Sequence, residues 1–287
     1  MKLKLLLLTV LLLPCMLVAQ PETPIEEWTG KTILLVGAHP DDDTMSHGTL
    51  SMLNENGNDV YILLLTTGNV GTADPDMTRH QLAKIRRQEQ LDAMEELGLP
   101  TENYINLGYN DGMVEFADRE EVVKRIVYHI RDLKPDVMFS FDPGWGYQTW
   151  HKADHRAAAY LAADAARAAE WHLIFPGQII QDGLEAHSIN EYVFYDSVDE
   201  AVNYRVDISD YAERKWNAAT KYISQFNREA FNDYKGPNPE DYTNAEEYVE
   251  RMRMRVYERG AVDGVPHESF RYYRGIPDGM GTQSSHY

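Results

Sequence analysis

Gly37-Ala38-His39-Pro40-Asp41-Asp42-Asp43-Thr44 sets an imidazole beside three consecutive carboxylates. Neighbouring carboxylates repel, so a folded chain carries such a run at a cost unless a cation or several donors compensate. A divalent metal compensates well, because it takes imidazole nitrogen and carboxylate oxygen together. A second cluster of the same chemistry follows at Trp150-His151-Lys152-Ala153-Asp154-His155. Two histidines and one aspartate (His39, His155 and Asp42) would leave a coordination position open for water, as catalytic sites require and structural zinc sites do not. Asp41 stands next to Asp42, and adjacent side chains at a turn do not both point easily at one ion. Its carboxylate is then placed to take a proton from that water. Hydrolysis of an amide or ester is the chemistry this pattern predicts.

Plainer roles compete at each position. Asp42 or Asp43 alone would cap a helix well, but capping needs one Asp and explains neither His39 nor the run of three. His155, taken alone, fits a cap or a half-buried surface residue; the first cluster favours the ligand reading. His151 lies four residues earlier, on the same face of a helical turn. A charged imidazole there would steady an oxyanion or protonate a leaving amine, and a surface-loop histidine fits nearly as well. Asp154 either orients a ligand as a second-layer acceptor or caps the helix. His47 reads as packing or surface. Tyr147 and Trp150, with Trp145, offer sugar-stacking rings or ordinary core. The loop with Gly68 and Gly71 lacks the lysine of a phosphate cradle.

The elements that must position these groups read as alternating strands and helices. Apolar runs at 32–38, 59–65, 104–107 and 136–141 predict buried strands. Between and after them, Thr44–Asn56, Thr78–Leu97 (stopped by Gly98), Arg119–Leu133 and Ala153–Trp171 predict helices. This spacing argues for a parallel sheet of βαβ units in a single α/β domain. Ligands of such sheets bind at the carboxyl edge, where His39, Gly68, Asn110, Asp142 and His155 should converge. Arg86, Asn110, Asp142, Tyr147 and Trp150 are expected on the substrate rim. Later, strands are expected at 192–195 and 204–208, one helix over Asp210–Phe231 capped by Ser209, a loop at 235–244, and a charged helix over Ala245–Arg259.

Composition bounds the rest. Lys2 and Lys4 precede the apolar run Leu5–Leu13, and Ala19 offers a cleavage residue before Gln20. Residues 1–19 therefore read as a secretory signal peptide, too short for a membrane span. Export to the periplasm or medium follows, with lipidation at Cys15 a minor alternative that Pro14 fits poorly. Residues 20–30 read as a polar lead-in, 31–275 as the domain and 276–287 as a tail. Cys15 is the single cysteine, so after cleavage neither disulfides nor thiol chemistry remain and a metal site must use His and carboxylate. The net charge of −19 becomes −21 without Lys2 and Lys4. It disfavours nucleic acid and anionic membranes as partners and favours a neutral or cationic substrate.

Ala38-His39-Pro40-Asp41-Asp42 resembles the Ala-His-Pro-Asp-Asp-Glu signature of the PIG-L / LmbE-like deacetylases. The resemblance continues through the Thr-x-Gly loop at 67–71, the helix with Arg86 and Glu89, the element at 151–155, Val206-Asp207-Ile208 and Ser224-Gln225. It implies a Rossmann-like fold and a zinc-dependent N-deacetylase acting on N-acetylglucosamine-type sugars or small glycoconjugates. Carried over by position, His39, Asp42 and His155 would bind Zn2+ and Asp41 would be the general base. Iron, cobalt or manganese also suit such ligands. Two departures stand out. Asp43 replaces the usual Glu, and His-Lys-Ala-Asp-His replaces the usual His-Pro-Asp-His, which shifts His151 by one residue while Asp154-His155 stays in register. Two rivals are a non-catalytic glycan-binding protein on the same fold and an amide hydrolase of another small N-acyl metabolite.

Overall fold

Thr32-Ile33-Leu34-Leu35-Val36 is apolar on both sides of the pleat, which suits a strand covered by helices on each face. The computed structural model describes residues 20–144 and 153–275. In it this run forms β1 (Thr32–Gly37), with Ile33 to Val36 fully buried. β2 (Asp59–Thr66) and β4 (Val137–Phe141) pair with β1 on either side, and β3 (Tyr104–Tyr109) and β5 (Glu191–Tyr195) extend the sheet outward, all parallel. β8 (Val265–Arg274) then runs antiparallel against β5, and β6 (Tyr204–Asp207) and the short β7 (Ala261–Val262) pair with β8. The order is β3-β2-β1-β4-β5-β8-β6. This is the expected mostly parallel, helix-flanked single domain.

Local chemistry sets the helix ends. α1 (His47–Glu55) follows a 3-10 turn over Asp42–Ser46. α2 (Arg79–Leu97) starts in a capping box between Thr78 and Gln81 and stops at Gly98 in the left-handed conformation. α3 (Arg119–Leu133) is capped by the Asp118 side chain on Glu121 N. α4 (Ala153–Ala169) carries an alanine face that lets it pack closely on α3 and the sheet. At its far end the fully buried Arg131 of α3 donates to the carbonyls of Ala169, Trp171, Ile174 and Phe175 and to Gln178 Oε1. One guanidinium thus satisfies carbonyls that a helix end leaves without partners.

The last third departs from the expectation. The single helix expected over Asp210–Phe231 is three: α6 (Ala212–Ala219), α7 (Ile223–Phe226) and α8 (Arg228–Asn232), after the short α5 (Pro176–Ile180) upstream. Asn227 leaves the helical conformation (ψ 121°) and its side chain caps α8 through Glu229 N and Ala230 N, the competition with helix that Asn offers. α9 (Ala245–Met254) passes into one π-helical turn, Arg255–Arg259. β8 was not expected at all. Its inward set is Pro266, Glu268, Phe270 and Tyr272, and the charge at 268 breaks the apolar alternation. Among the described residues no helix is long and apolar enough to cross a membrane. The leader and the tail, as well as Trp145, Tyr147, Trp150 and His151, lie outside the described residues.

Candidate metal centre

β1 ends at Gly37 and the chain turns at once through Pro40 and Asp41. Asp41 has φ 121° and ψ −17°, a conformation that costs a non-glycine residue about 1–3 kcal/mol and persists only where the surroundings hold it. The hold is dense. Thr44 N and Oγ1 donate to Asp41 O at 3.0 and 2.6 Å. Arg86 of α2 donates to Pro40 O and to Gly68 O, and pairs with Asp41 Oδ2 at 3.0 Å. Gly68 leaves room for this: a Cβ there would sit 2.2 Å from the guanidinium, at φ +62°. Arg86, expected on the rim, therefore lies beneath it, 2% exposed.

The turn delivers His39 and Asp42 inward, and the start of α4 delivers His155. Asp42 Oδ2 accepts from Ala38 N and His39 N at 2.8 and 2.7 Å, while Oδ1 lies 3.2 Å from His155 Nε2. His39 Nδ1 lies 3.2 Å from His155 Nε2 and 3.6 Å from Asp42 Oδ2. A tetrahedral zinc with bonds of ~2.0–2.1 Å separates its ligand atoms by about 3.3 Å, close to the 3.2 Å from His155 Nε2 to Asp42 Oδ1 and to His39 Nδ1. Phe141 at the end of β4 stacks on the His155 ring, centroids 4.4 Å apart, and fixes its plane.

The other nitrogen of His39 faces two carboxylates. Nε2 is 3.0 Å from Asp111 Oδ1 and 3.4 Å from Asp154 Oδ2. Asp154 in turn accepts from Gly112 N at 2.6 Å and Val114 N at 3.0 Å. A carboxylate behind a ligating imidazole fixes its tautomer and raises its basicity. Burial alone would lower the His39 imidazole, but Asp42, Asp111 and Asp154 outweigh it and hold it well above its ordinary value. For Asp42 burial works upward, and His155 and His39 outweigh it, holding the carboxyl well below its ordinary value. The field that draws a proton to His39 draws a divalent cation as well.

Of the remaining expected rim residues, Asn110 accepts from Asn69 Nδ2 at 2.9 Å. Asp142 is turned inward, 3% exposed, against Arg271 Nε and Nη2 at 2.9 and 2.5 Å. Burial opposes its ionisation, but Arg271 holds it below the usual carboxylate range. Sequence reasoning did not single out Asp111; its place in the polar loop after β3, at the edge where His39 stands, was the available signal.

A mostly parallel α/β sheet with a His-Asp-His set at its carboxyl edge, His39 and Asp42 buried and His155 half-buried, defines an α/β protein with groups that could hold a metal ion. Residues 34–166 match the PIG-L family, described as GlcNAc-PI de-N-acetylase. The chain is 35% identical over 197 residues to a diacetylchitobiose deacetylase of Thermococcus kodakarensis, covering 68% of this chain and 70% of that one. It is 31% identical over 188 residues to a 1D-myo-inositol 2-acetamido-2-deoxy-alpha-D-glucopyranoside deacetylase of Kineococcus radiotolerans, covering 53% of this chain and 52% of the relative. Among solved structures, an N,N'-diacetylchitobiose deacetylase from Pyrococcus horikoshii superposes with TM-score 0.68 at 27% identity, covering 85% and 84% of the two chains. The chain belongs to the PIG-L family.

Proposed function

We propose that the protein is a cation-dependent N-deacetylase of N-acetylglucosamine-type sugars. The observation that carries this is the grouping of His39, Asp42 and His155, with His155 Nε2 3.2 Å from both His39 Nδ1 and Asp42 Oδ1 and with Asp41 immediately before Asp42. A zinc-type cation bound by His39, Asp42 and His155 would polarise the acetamide carbonyl and acidify the attacking water. Asp41 would take a proton of that water as the water oxygen bonds to the acetamide carbon, and would pass it to the departing nitrogen as the C–N bond breaks, giving acetate and a free amine. Arg86, 3.0 Å from Asp41 Oδ2, keeps the carboxylate in one orientation, and Asp111 and Asp154 keep His39 in one tautomer. His151 as proton donor or oxyanion partner rests on the sequence pattern alone. The reading includes export, on the pattern of residues 1–19, and a neutral substrate, on the charge of the chain.

The test is acetate release from N-acetylglucosamine and N,N'-diacetylchitobiose, with and without added zinc, by the chain recovered from the exported fraction. Zinc-dependent release that Asp41→Ala abolishes is expected, with Gln20 as the first residue of the preparation. Sugar binding without release, unchanged by Asp41→Ala, would leave a glycan-binding protein instead. A chain that keeps Met1 and stays inside the cell overturns the export.

A further inference from the structure

Asp43 faces away from the centre its neighbours build. It has no exposure, and partners from three parts of the chain converge on its carboxylate. Gln90 of α2 donates from Nε2 to Oδ2 at 2.8 Å. Tyr222, between α6 and α7, donates its hydroxyl to Oδ1 at 3.1 Å. His47, the first residue of α1, brings Nε2 to 3.1 Å from Oδ2. His47 is also fully buried, and its ring stacks on Tyr222 with centroids 6.1 Å apart. Burial and the nearby Asp43 push the Tyr222 phenol well above its ordinary value, so it remains a donor.

Capping does not explain this arrangement, since neither the 3-10 turn nor α1 takes a side-chain cap. Packing does not explain it either, because an apolar side chain would fill the same space without desolvating a carboxylate. The arrangement does make sense as an anchor. Asp42 and Asp43 leave one short turn in opposite directions, Asp42 toward His39 and His155, Asp43 toward Gln90, His47 and Tyr222. Two residues before Asp43, the Asp41 backbone is strained, and strain of this kind relaxes unless both sides of the turn are held.

We propose that Asp43, held by hydrogen bonds from Gln90 and Tyr222 and packed against the His47 ring, is a positioning residue that pins the inner side of the strained turn and so keeps Asp42 at cation-binding distance from His39 and His155. This rests on the cation-site reading above. It makes zinc affinity depend on Tyr222, a residue without contact to the centre and 180 positions away from Asp42 in sequence.

The experiment measures zinc affinity of the purified chain by chelator competition, alongside thermal unfolding in excess chelator. Asp43→Asn is expected to weaken zinc about tenfold or more, the scale of a small misplacement of a group that must be held in position, and Tyr222→Phe by up to about tenfold. Ser224→Ala, which removes a hydrogen bond to Glu89 from the same segment, should lower the melting temperature and leave zinc affinity where it was. Asp43→Glu adds one methylene against His47 and should weaken zinc; the double variant Asp43→Glu/His47→Ala should recover it. Unchanged affinity in Tyr222→Phe and in every Asp43 variant that folds overturns the proposal, whatever happens to stability. If no Asp43 variant folds, Tyr222→Phe decides alone. A parent chain that binds no zinc overturns the cation reading itself, whereas a parent that binds zinc beside unaffected variants overturns only the anchor.

Discussion

Glu89 gives the clearest quantitative prediction. It is 3% exposed and accepts from Ser224 N and Oγ, both at 2.7 Å. Burial pushes its carboxyl from 4.5 up to about 7, against the pull of Ser224 and Arg86. Below pH 4.5 the group is neutral in the folded and unfolded chains and contributes nothing. Between 4.5 and about 7 the folded chain binds the proton more tightly than the unfolded one, so stability falls as pH rises. Above 7 the whole penalty is present. At 1.36 kcal/mol per unit the fall amounts to about 3 kcal/mol. Glu89→Gln removes the titration and keeps one acceptor for Ser224, so it carries a pH-independent loss of about 1 kcal/mol. Urea unfolding of both chains at pH 5, 6, 7 and 8 isolates the effect, because titrations elsewhere cancel in the difference. The parent should lose about 2.5 kcal/mol relative to the variant across that range, the remainder of the fall lying below pH 5. A difference that moves by less than ~1 kcal/mol would refute the assignment of a buried, neutralisable carboxyl.

Gly68→Ala should cut deacetylation turnover at least about tenfold while zinc affinity stays within a few-fold of the parent, because the new Cβ displaces Arg86 from Asp41 but touches no ligand of the cation. Steady-state kinetics beside chelator competition separates the two, and full turnover would show that Arg86 does not orient Asp41. Arg131→Met should cost more than about 3 kcal/mol, since it leaves several buried carbonyls at the end of α4 without a donor. Denaturant unfolding checks it, and a loss below ~1 kcal/mol would mean that water replaces the guanidinium.

What could be read from the sequence was what local chemistry decides. The buried strands announce themselves as apolar runs, and Thr78, Gly98 and Asp118 mark their helix ends by the chemistry of caps. The residues the structure gathers at the centre, His39, Asp42 and His155, come from one turn and one helix start, both recognisable from composition alone. The rest is decided by distant partners. Nothing near Glu268 tells that it lies buried on β8 and accepts from Gly48 N and Thr49 N at 2.9 and 2.8 Å, so it reads as a solvated charge and hides the strand. Helical propensity carries Ala212 onward through Phe231, and only the burial of Tyr222 against Asp43 and the capping by Asn227 break it. Arg86 and Asp142 read as free polar groups because their partners, Asp41 and Arg271, are fixed by the fold.

The origin of these supports along the chain sets an order for biogenesis. The residues that would hold the cation all precede position 156, yet their surroundings close only with Tyr222 on Asp43, Ser224 on Glu89 and Glu268 on the first turn of α1. A chain emerging from the ribosome carries the complete set of ligands long before it carries what steadies them, and contacts spanning such separations form late. On the proposed reading, loading of a cation would fall at the end of folding, when β8 has joined the sheet. A chain that crosses a membrane before that strand docks would take its metal from the far side.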